Sequence, residues 1–512
     1  MTMKTKILAS TLLLGALLAS QMSLTAHAAE DDIILISPNP AAAKTTAADT
    51  DALLQGQYEA YAGMYSYDGI ADQLYSIKVL LGDGVNFNLD QIPDRQQACV
   101  MVVRMRGEEA AALAAYEAGE ITCPFTDITD EWVKPYLAWL YDKEIVLGTG
   151  EGKFGNSTCT PEMYITFMLR ALGYNVTWDA ASDTDVLYAD ALNFARGINL
   201  WDSRLALEPE FNRGVMSAVT YQTLAADVKG TYQRLLSALV GAGAIDADAA
   251  QPILDLYDAV DTAAAMELAA VPMMNGMKLA GEMTQEEYYV MSVTGAPEGD
   301  TVDEISSTLA FDVALDFTDG RQEYALDGGI TMQVSGMDMT VPMGMWLHDG
   351  WMYADMMEQK VKTPVTEETA LEGLTDLPAL FSDTGYQYYT VSEVLIEELD
   401  GTDPSGLTGT LITYDATDFM WPIIAAQIDD ETFTADAALS ALVSTEKFIG
   451  ADGVLAGVYN GMYAILTETD GTGVTRSAEM LSQTGINYTA WGDDVVLTFP
   501  DFSQFVEETA AE

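Results

Sequence analysis

The sequence predicts a multidomain chain, with a helical repeat region in its first half and an α+β region built on an antiparallel sheet in its second. Residues in the first half recur at a constant offset of 66 positions, as Arg104 does in Arg170 and Gly107 does in Gly173. After residue 271 the period of the apolar residues becomes two, which is typical of strands. Because 49% of the 512 residues are hydrophobic, each region has enough apolar material for a core.

Residues 1–28 are predicted to form a secretory signal peptide. Two lysines precede the apolar stretch Ile7–Ser20, and Ala26-His27-Ala28 then supplies a cleavage site of the A-x-A type. The apolar stretch is shorter than the ~20 residues that a membrane-spanning helix needs. We therefore expect export to the cell surface, with no transmembrane segment in the mature chain. Residues 29–56 are predicted to form a short strand and a linker.

The charge of the chain is strongly acidic, with 22 basic and 79 acidic residues and a formal net charge of −57. Such a surface repels phosphate groups, so we exclude nucleic acid and anionic membranes as partners. We interpret most of the charge as solubilising. The chain lacks a loop with the ligand spacing of a calcium-binding EF-hand, and the sequence predicts no metal and no cofactor.

Three cysteines are too few for a disulfide framework, and their number is odd. Cys99 lies within an amphipathic helix pattern and is interpreted as a small core residue. A bridge between Cys123 and Cys159 would suit an exported protein, and the sequence leaves that pairing open.

Residues 57–230 are predicted to contain three repeats, each made of a helix, a loop that carries glycine and a second helix. In the first repeat four apolar residues recur at i, i+3, i+4 and i+7 along the second helix. In the third repeat Arg196-Gly197-Ile198 is expected to take the place of Lys143-Glu144-Ile145, and Phe211-Asn212-Arg213 to open a helix with Met216 and Val219 inward. One repeat cannot bury its apolar stripe alone, but three packed together can.

The second repeat resembles an S-layer homology (SLH) repeat over many spaced positions. The matching residues are Pro124-Phe125-Thr126-Asp127, Trp132, Tyr136, Leu140, Ile145, Gly148, Phe154 and Arg170-Ala171-Leu172-Gly173. The resemblance implies an all-α pseudo-trimer of three repeats that binds secondary cell-wall polysaccharide, often pyruvylated, in grooves between the repeats. It also implies a polysaccharide-binding arginine at the start of the second helix of a repeat.

Four residues become candidates for polysaccharide binding through this resemblance: Arg95, Arg213, Asp127 and Trp132. A guanidinium can hold a ketal carboxylate with two hydrogen bonds, and Trp132 would stack on a sugar ring. The second repeat departs from the family because Pro161 stands where the arginine belongs. The alternatives are an ion pair or structural hydrogen bond for the two arginines, a helix cap for Asp127 and a core position for Trp132.

Residues 231–270 are predicted to form helices that connect the two regions, and residues 271–512 a β-rich α+β domain. The predicted strands are Glu286–Val293, Thr308–Phe317, Met337–Met345, Gln387–Val394, Gly409–Tyr414, Gly457–Thr467 and Asp494–Phe499, with helices at Thr366–Phe381 and Thr434–Val443. Asp349-Gly350 is the turn of a predicted hairpin, and Trp351 starts its return strand.

Four methionines alternate along one predicted strand, at positions 337, 339, 343 and 345. We interpret them as an inward apolar face or the wall of a ligand cavity, and a Cu(I) site as the alternative. The segment Gly336–Lys362 resembles the half-barrel domains related to bacterial lipoprotein carriers. That resemblance implies a curved antiparallel sheet that can enclose an apolar ligand.

Catalysis is not expected from the residue types available. Once the signal peptide is removed the chain has one histidine, His348, so a multi-histidine zinc site within one chain is excluded. The leading hypothesis is a secreted cell-wall protein that anchors non-covalently to wall polysaccharide and displays a binding or structural domain. The rivals are a C-terminal carrier of lipid or another apolar ligand, and a wall-modifying hydrolase that uses paired carboxylates.

Overall fold

The computed structural model describes most of the chain from residue 66 onward. The described residues are 66–180, 184–270, 276–297, 299–318, 321, 323–334, 337–356, 359–364, 388–402, 406–417 and 438–507. The predicted signal peptide (1–28), the strand and linker (29–56) and the helix Thr366–Phe381 lie outside these residues.

The chain forms two compact units. The helical unit comprises residues 47–260 together with the short segment 387–390, and the sheet unit comprises the remainder. Mixed α and β structure in a multidomain chain is therefore confirmed. The boundary at residues 260 and 261 falls inside one long helix, within the predicted connector 231–270.

Ten α-helices occur within the described residues. They are α1 (Asp68–Ser76), α2 (Arg95–Met105), α3 (Glu109–Glu117), α4 (Lys134–Asp142), α5 (Pro161–Ala171), α6 (Ala191–Gly197), α7 (Ser203–Leu207), α8 (Arg213–Ala225), α9 (Leu235–Gly241) and α10 (Ala247–Ala270). Short 3-10 helices at Glu131–Val133 and Tyr188–Asp190 lead into α4 and α6. Across the described part of the chain, no helix combines the length and apolarity that a bilayer span requires.

The second helix of each repeat starts at a side-chain cap. Asp94, Thr160 and Asn212 each accept a hydrogen bond from the backbone N–H three residues further on, at the starts of α2, α5 and α8. Such caps satisfy N–H groups that have no partner within the helix. The three capped helices contact one another pairwise and carry buried methionines at Met101, Met168 and Met216. They form the core of the helical unit.

A left-handed residue ends the first helix of each repeat. Lys78, Glu144 and Asn199 have φ of 63°, 57° and 58°. The next residue in each case donates its N–H to a carbonyl five positions back, as helix-terminating turns do. Asn199 therefore occupies the place of Glu144, so the predicted alignment of the third repeat through Gly197 was wrong by two residues. The turn that ends each of these helices depends on its left-handed residue, which is not glycine in any of the three repeats.

The helical unit differs from the all-α prediction in one small feature. Two-residue strands β1 (Val176–Thr177) and β2 (Val186–Leu187) pair in parallel within the third repeat. The unit also includes the 3-10 helix Tyr388–Thr390, which lies far along the chain. Tyr389 is buried and donates its hydroxyl hydrogen to Asp202 Oδ2 over 2.5 Å.

The sheet unit contains a twelve-stranded sheet within the described residues. Its strands are β3 (Gly276–Thr294), β4 (Thr301–Thr318), β5 (Glu323–Val334), β6 (Met337–His348), β7 (Trp351–Met356), β8 (Gln359–Pro364), β9 (Glu393–Asp400), β10 (Thr408–Asp415), β11 (Ala438–Gly450), β12 (Leu455–Thr469), β13 (Thr475–Trp491) and β14 (Val506–Glu507). Their order in the sheet is β14-β8-β7-β6-β5-β4-β3-β13-β12-β11-β10-β9. Every pairing is antiparallel except that of β14 with β8, which largely confirms the predicted antiparallel sheet.

The methionine strand pairs as its alternation predicts. Met343 lies opposite Gly328 and Met345 opposite Leu326 in the register of β5 and β6. Directly opposed residues share a face of the sheet, and Met345 and Leu326 are both buried, while Met343 is half-buried. The hairpin turn is confirmed, because Asp349 and Gly350 both have positive φ, at 50° and 75°, as a type I′ turn requires.

Three predicted elements are wrong. In Gln387–Val394 the predicted strand is replaced by the 3-10 helix Tyr388–Thr390, and strand β9 begins only at Glu393. Residues 438–443 of the predicted helix Thr434–Val443 belong to strand β11, where pairing with β12 overrides their helix propensity. Residues 495–499 of the predicted last strand are irregular, because no neighbouring strand pairs with them.

Candidate functional site

Asp127 and Arg95 hold the same two residues from opposite sides. Asp127 accepts the backbone N–H groups of Phe154 and Gly155, each over 2.8 Å. Arg95 donates from Nη1 to the carbonyl oxygens of the same two residues, with 2.9 Å to that of Gly155. Two of the four candidate residues therefore fix the loop before α5. Asp127 is a loop clamp and not the helix cap that we considered.

The guanidinium of Arg95 lies inside the helical unit. Arg95 is 6% exposed, and its Cζ is 4.5 Å from the centroid of the Phe154 ring. Its Nε has no hydrogen-bond partner among the described residues. A surface ion pair is thus ruled out for this arginine, and its structural hydrogen bonds are the alternative that the geometry matches.

The backbone explains how Pro161 replaces an arginine in the second repeat. The N–H of Arg95 donates to the Ser157 carbonyl over 3.0 Å, and that of Arg213 donates to the equivalent Gln91 carbonyl over 2.9 Å. Pro161 has no N–H to donate, but its fixed φ suits the first position of a helix. The second repeat keeps its helix start and loses both this hydrogen bond and a cationic side chain.

Arg213 differs from Arg95 in its surroundings. It is half-buried at the start of the thirteen-residue helix α8. Its guanidinium forms no hydrogen bond or ion pair with any residue that the structure describes, and its Nε is buried without a partner. Burial lowers the pKa of Arg213, while the negative charge of Asp83 opposes that effect and Arg104 reinforces it. The start of α8 therefore presents a cation without a hydrogen-bond partner among the described residues, in a chain that is otherwise strongly acidic.

The neighbouring charges are already committed. Hydrogen bonds from Asn88 and from backbone N–H groups lower the pKa of Asp83 to about 2, so that it stays ionised. Arg104 pairs with Glu109 at 3.0 Å, and Tyr136 donates its hydroxyl hydrogen to the same Glu109 Oε1. An incoming anion would therefore displace no hydrogen bond of Arg213 among the described residues, although it would approach the negative charge of Asp83.

Trp132 is not a core aromatic. Its side chain is 57% exposed in the 3-10 helix before α4, and its ring is 6.5 Å from that of Tyr136. The structure leaves this indole accessible, whereas Arg95 and Asp127 are engaged within the loop.

An open cavity in the third repeat was missed by sequence reasoning. It has a volume of about 570 Å³ and is lined by Ala180, Thr184, Asp185, Val186, Leu187, Asp190, Asn193 and Phe194. Beside it Trp178 stacks on Tyr188, with ring centroids 4.0 Å apart and planes inclined by 29°. Trp178 is 68% exposed. Trp178 and Tyr188 lie ten positions apart in the sequence. They meet because β1 and β2 pair.

Asp185, one of the acids that line this cavity, is paired with a lysine. Asp185 accepts a hydrogen bond from Lys229 Nζ at 2.5 Å, and that bond lowers the pKa of Asp185. A general acid for glycoside cleavage needs the opposite shift.

The sheet unit encloses a buried ion pair. Lys447 Nζ lies 2.5 Å from Glu267 Oε2, and both side chains are completely buried. Tyr414 donates its hydroxyl hydrogen to Glu267 Oε1. Burial raises the pKa of Glu267 and lowers the pKa of Lys447 to about 8, and the opposite charge of each partner limits the shift.

Tyr324 is a buried polar group on the face of the sheet that carries Met345. It is 1% exposed and lies opposite Leu347 in the register of β5 and β6. Its hydroxyl has no hydrogen-bond partner in the described part of the chain, and burial raises the pKa of Tyr324. A buried hydroxyl without a partner costs free energy unless something else satisfies it.

His348, the last residue of strand β6, is held in place by its neighbours. Its Nδ1 is 2.9 Å from Glu323 Oε1, and its Nε2 is 3.4 Å from Asp349 Oδ2. The ring also lies 4.3 Å from that of Phe499. The three polar side chains lie close enough to share a cation. The contacts with Glu323 and Phe499 are already sufficient to explain the position of the His348 ring.

All three cysteines are free thiols, so the pairing of Cys123 with Cys159 is not formed. Cys99 and Cys159 are buried, and burial raises the pKa of Cys159 to about 12. A thiol with so high a pKa is a poor nucleophile, which agrees with a structural position.

Comparison with known proteins finds only distant structural likeness. No family model matches the chain, and no curated protein matches it. LprF from Mycobacterium bovis, known from a crystal structure, aligns with 42% of this chain and 89% of its own length, at 11% sequence identity and a TM-score of 0.18. A likeness of that size carries no argument about function, so the proposals that follow depend on residues and geometry.

Proposed function

We propose that the helical unit attaches this protein non-covalently to an acidic cell-wall polysaccharide, and that Arg213 holds a carboxylate of that polymer. The observation that carries the proposal is the guanidinium of Arg213, which is half-buried and has no intramolecular partner among the described residues. The SLH-like repeat supplies the ligand class, a wall polysaccharide that is often pyruvylated.

The chemistry of Arg213 suits a ketal carboxylate. A guanidinium can donate two parallel hydrogen bonds to a carboxylate, and partial burial strengthens such bonds relative to water. The backbone N–H groups at the start of α8 also favour a negative charge. Asn212 already occupies the N–H of Val215 at 2.9 Å, so the side chain of Arg213 provides most of the contact.

Arg95 has no such role in the proposal, since its hydrogen bonds go to Phe154 and Gly155. Trp132 is retained as an accessible aromatic surface for a sugar ring. The anchoring function would place the protein at the cell wall, outside the membrane, as the signal peptide predicts.

The test is binding of the full chain to immobilised wall polysaccharide purified from the organism that makes it. Arg213→Ala should weaken binding by roughly tenfold or more, as expected for the loss of a hydrogen bond to a charged group, about 1.5–3 kcal/mol. Arg213→Lys keeps the charge but cannot donate two parallel hydrogen bonds. Its affinity should lie between that of wild type and that of Arg213→Ala. Unchanged binding by Arg213→Ala, with wild-type melting, would overturn the assignment.

A second candidate function, carriage of an apolar ligand by the sheet unit, is favoured by Tyr324. Its unpartnered hydroxyl lies on the same face as Leu326 and Met345, and a lipid with one polar acceptor would satisfy it. Wild-type full chain should then bind an apolar fluorescent probe that carries a carbonyl group, and Tyr324→Phe should bind it several-fold more weakly. An equal signal from both would remove the reason for this candidate.

A further inference from the structure

We propose that the cavity of the third repeat, together with the exposed Trp178 that stacks on the half-buried Tyr188, binds a neutral pyranose residue of the same wall polysaccharide. This inference rests on the proposed anchoring function for the identity of its polymer. It assigns a second site, separate from Arg213, to a part of the sugar chain that carries no charge.

The pairing of β1 with β2 brings the aromatic pair and the cavity together. Thr177 lies opposite Leu187 in the parallel register, and the residues that follow each of them, Trp178 and Tyr188, stack at 4.0 Å. Thr177 Oγ1 is also 2.8 Å from Thr184 Oγ1, and Thr184 lines the cavity. The platform and the cavity are therefore parts of one structural element.

The stacked pair is built as a surface for a flat apolar partner. An indole with 68% of its surface exposed costs free energy in water, yet stacking on Tyr188 fixes its orientation. One side of a pyranose ring presents C–H groups that pack on such an aromatic face. A ring already held in position loses less conformational entropy when the sugar arrives.

The cavity lining selects a neutral sugar. Asp185 and Asp190 contribute carboxylates and Asn193 an amide, and these groups can hydrogen-bond to hydroxyl groups. Because Asp185 is paired with Lys229, the carboxylate of Asp190 is the charge that repels an acidic sugar. A volume of about 570 Å³ falls within the range of small-molecule sites.

The position of Tyr188 explains why the second repeat can lack an arginine. Burial, reinforced by the charge of Glu162, raises the pKa of Tyr188, and the hydroxyl of Thr160, which caps α5, opposes that shift. The 3-10 helix that begins with Tyr188 contacts α5, the helix that begins with Pro161. In this proposal the start of α8 offers a cation for an acidic sugar residue, and Trp178 with Tyr188 offers an aromatic platform for an uncharged one.

The experiment compares two forms of the wall polysaccharide, native and treated with mild acid to remove ketal-linked pyruvate. The full chain carrying Trp178→Ala should bind both forms more weakly than wild type, by roughly tenfold, because aromatic stacking does not need the carboxylate. Arg213→Ala should weaken binding to the native form and leave binding to the treated form unchanged. Tyr232→Ala is the matched control, since Tyr232 is a fully exposed aromatic of the same unit.

The outcomes separate the two proposals. If the wild-type chain binds neither form, the anchoring function fails and this inference fails with it. If the wild-type chain binds and Trp178→Ala matches the Tyr232→Ala control on both forms, the neutral-sugar site is wrong while the anchoring function stands. A loss by Trp178→Ala on the native form alone would also overturn the neutral-sugar site, because it would place an acidic residue there.

Discussion

The helical unit and the sheet unit each bury a cation, and they compensate its charge in different ways. Arg95 is met by two backbone carbonyls and the face of Phe154, whereas Lys447 is met by the carboxylate of Glu267. An arginine keeps its proton at any ordinary pH, so neutral carbonyls suffice to hold it in place. A buried lysine can lose its proton, as its lowered pKa indicates, and a nearby carboxylate keeps it charged.

Arg213 has neither a hydrogen bond nor an ion pair among the described residues, and the nearby negative charge of Asp83 acts on it without forming either. It occupies the same position in its repeat as Arg95, and both donate their backbone N–H to equivalent carbonyls. Only Arg95 has an internal partner for its guanidinium. Two arginines at the same repeat position therefore differ in whether the guanidinium has internal partners.

The largest effect should come from removing the acid partner in the sheet unit. Glu267→Met leaves the ammonium of Lys447 buried without a carboxylate and should lower the free energy of unfolding by about 3–5 kcal/mol. Denaturant unfolding of the full chain checks this, with the exposed Glu397→Met on strand β9 as control. The double variant Glu267→Met with Lys447→Met should recover most of the loss. A double variant as unstable as the single one would mean that lost packing is the cause.

Replacing Arg95 should cost more stability than replacing Arg213, and both losses should be smaller than that of Glu267→Met. Arg95→Met leaves the carbonyls of Phe154 and Gly155 without donors and should reduce the stability of the helical unit by about 2–3 kcal/mol. Arg213→Met removes no intramolecular hydrogen bond and should cost less than about 1 kcal/mol. Thermal melting followed by the helical circular dichroism signal measures both. Equal losses would show that Arg213 has a structural role that its geometry does not reveal.

The smallest effect is a change in acid sensitivity at Asp127. Burial pushes the pKa of Asp127 upward, but the N–H groups of Phe154 and Gly155 outweigh it, and the pKa ends below its ordinary value. A carboxyl with a lowered pKa stabilises the fold above its unfolded pKa, near 4, and loses that contribution as the pH falls through the folded value. Asp127→Asn should therefore be less stable than wild type at pH 7, by less than about 1 kcal/mol. The difference in stability between Asp127→Asn and wild type should narrow below pH 4. A difference that stays constant from pH 7 to pH 3 would contradict the role of the charge.

Local patterns made much of the helical unit predictable from the sequence. The apolar stripe of α2 and the capping residues Asp94 and Asn212 mark helix starts through contacts within a few residues. The alignment of the third repeat was wrong by two residues because Asn199, and not Gly197, takes the left-handed conformation that Glu144 has in the second repeat. The burial of Arg95 could not be foreseen, since its partners Phe154 and Gly155 come from the next repeat.

In the sheet unit, the alternation of apolar and polar residues predicted the strands that have one apolar face. It did not predict strands whose residues alternate poorly. Strand β13, Thr475–Trp491, alternates poorly, and its pairing with β3 and β12 gives it its conformation. The cavity beside Trp178 was missed for a related reason. Its two aromatic residues lie ten positions apart, and only the parallel pairing of two very short strands brings them together.

The short segment 387–390 limits which fragments of the gene encode the whole helical unit. Tyr389 is buried in the helical unit through its hydrogen bond to Asp202, although nearly all of the rest of that unit comes from residues before 261. A gene fragment that ended at the unit boundary would encode every repeat and still leave out this tyrosine. The repeats are therefore not a freely portable cassette, and a fusion that borrows them should also carry residues 387–390.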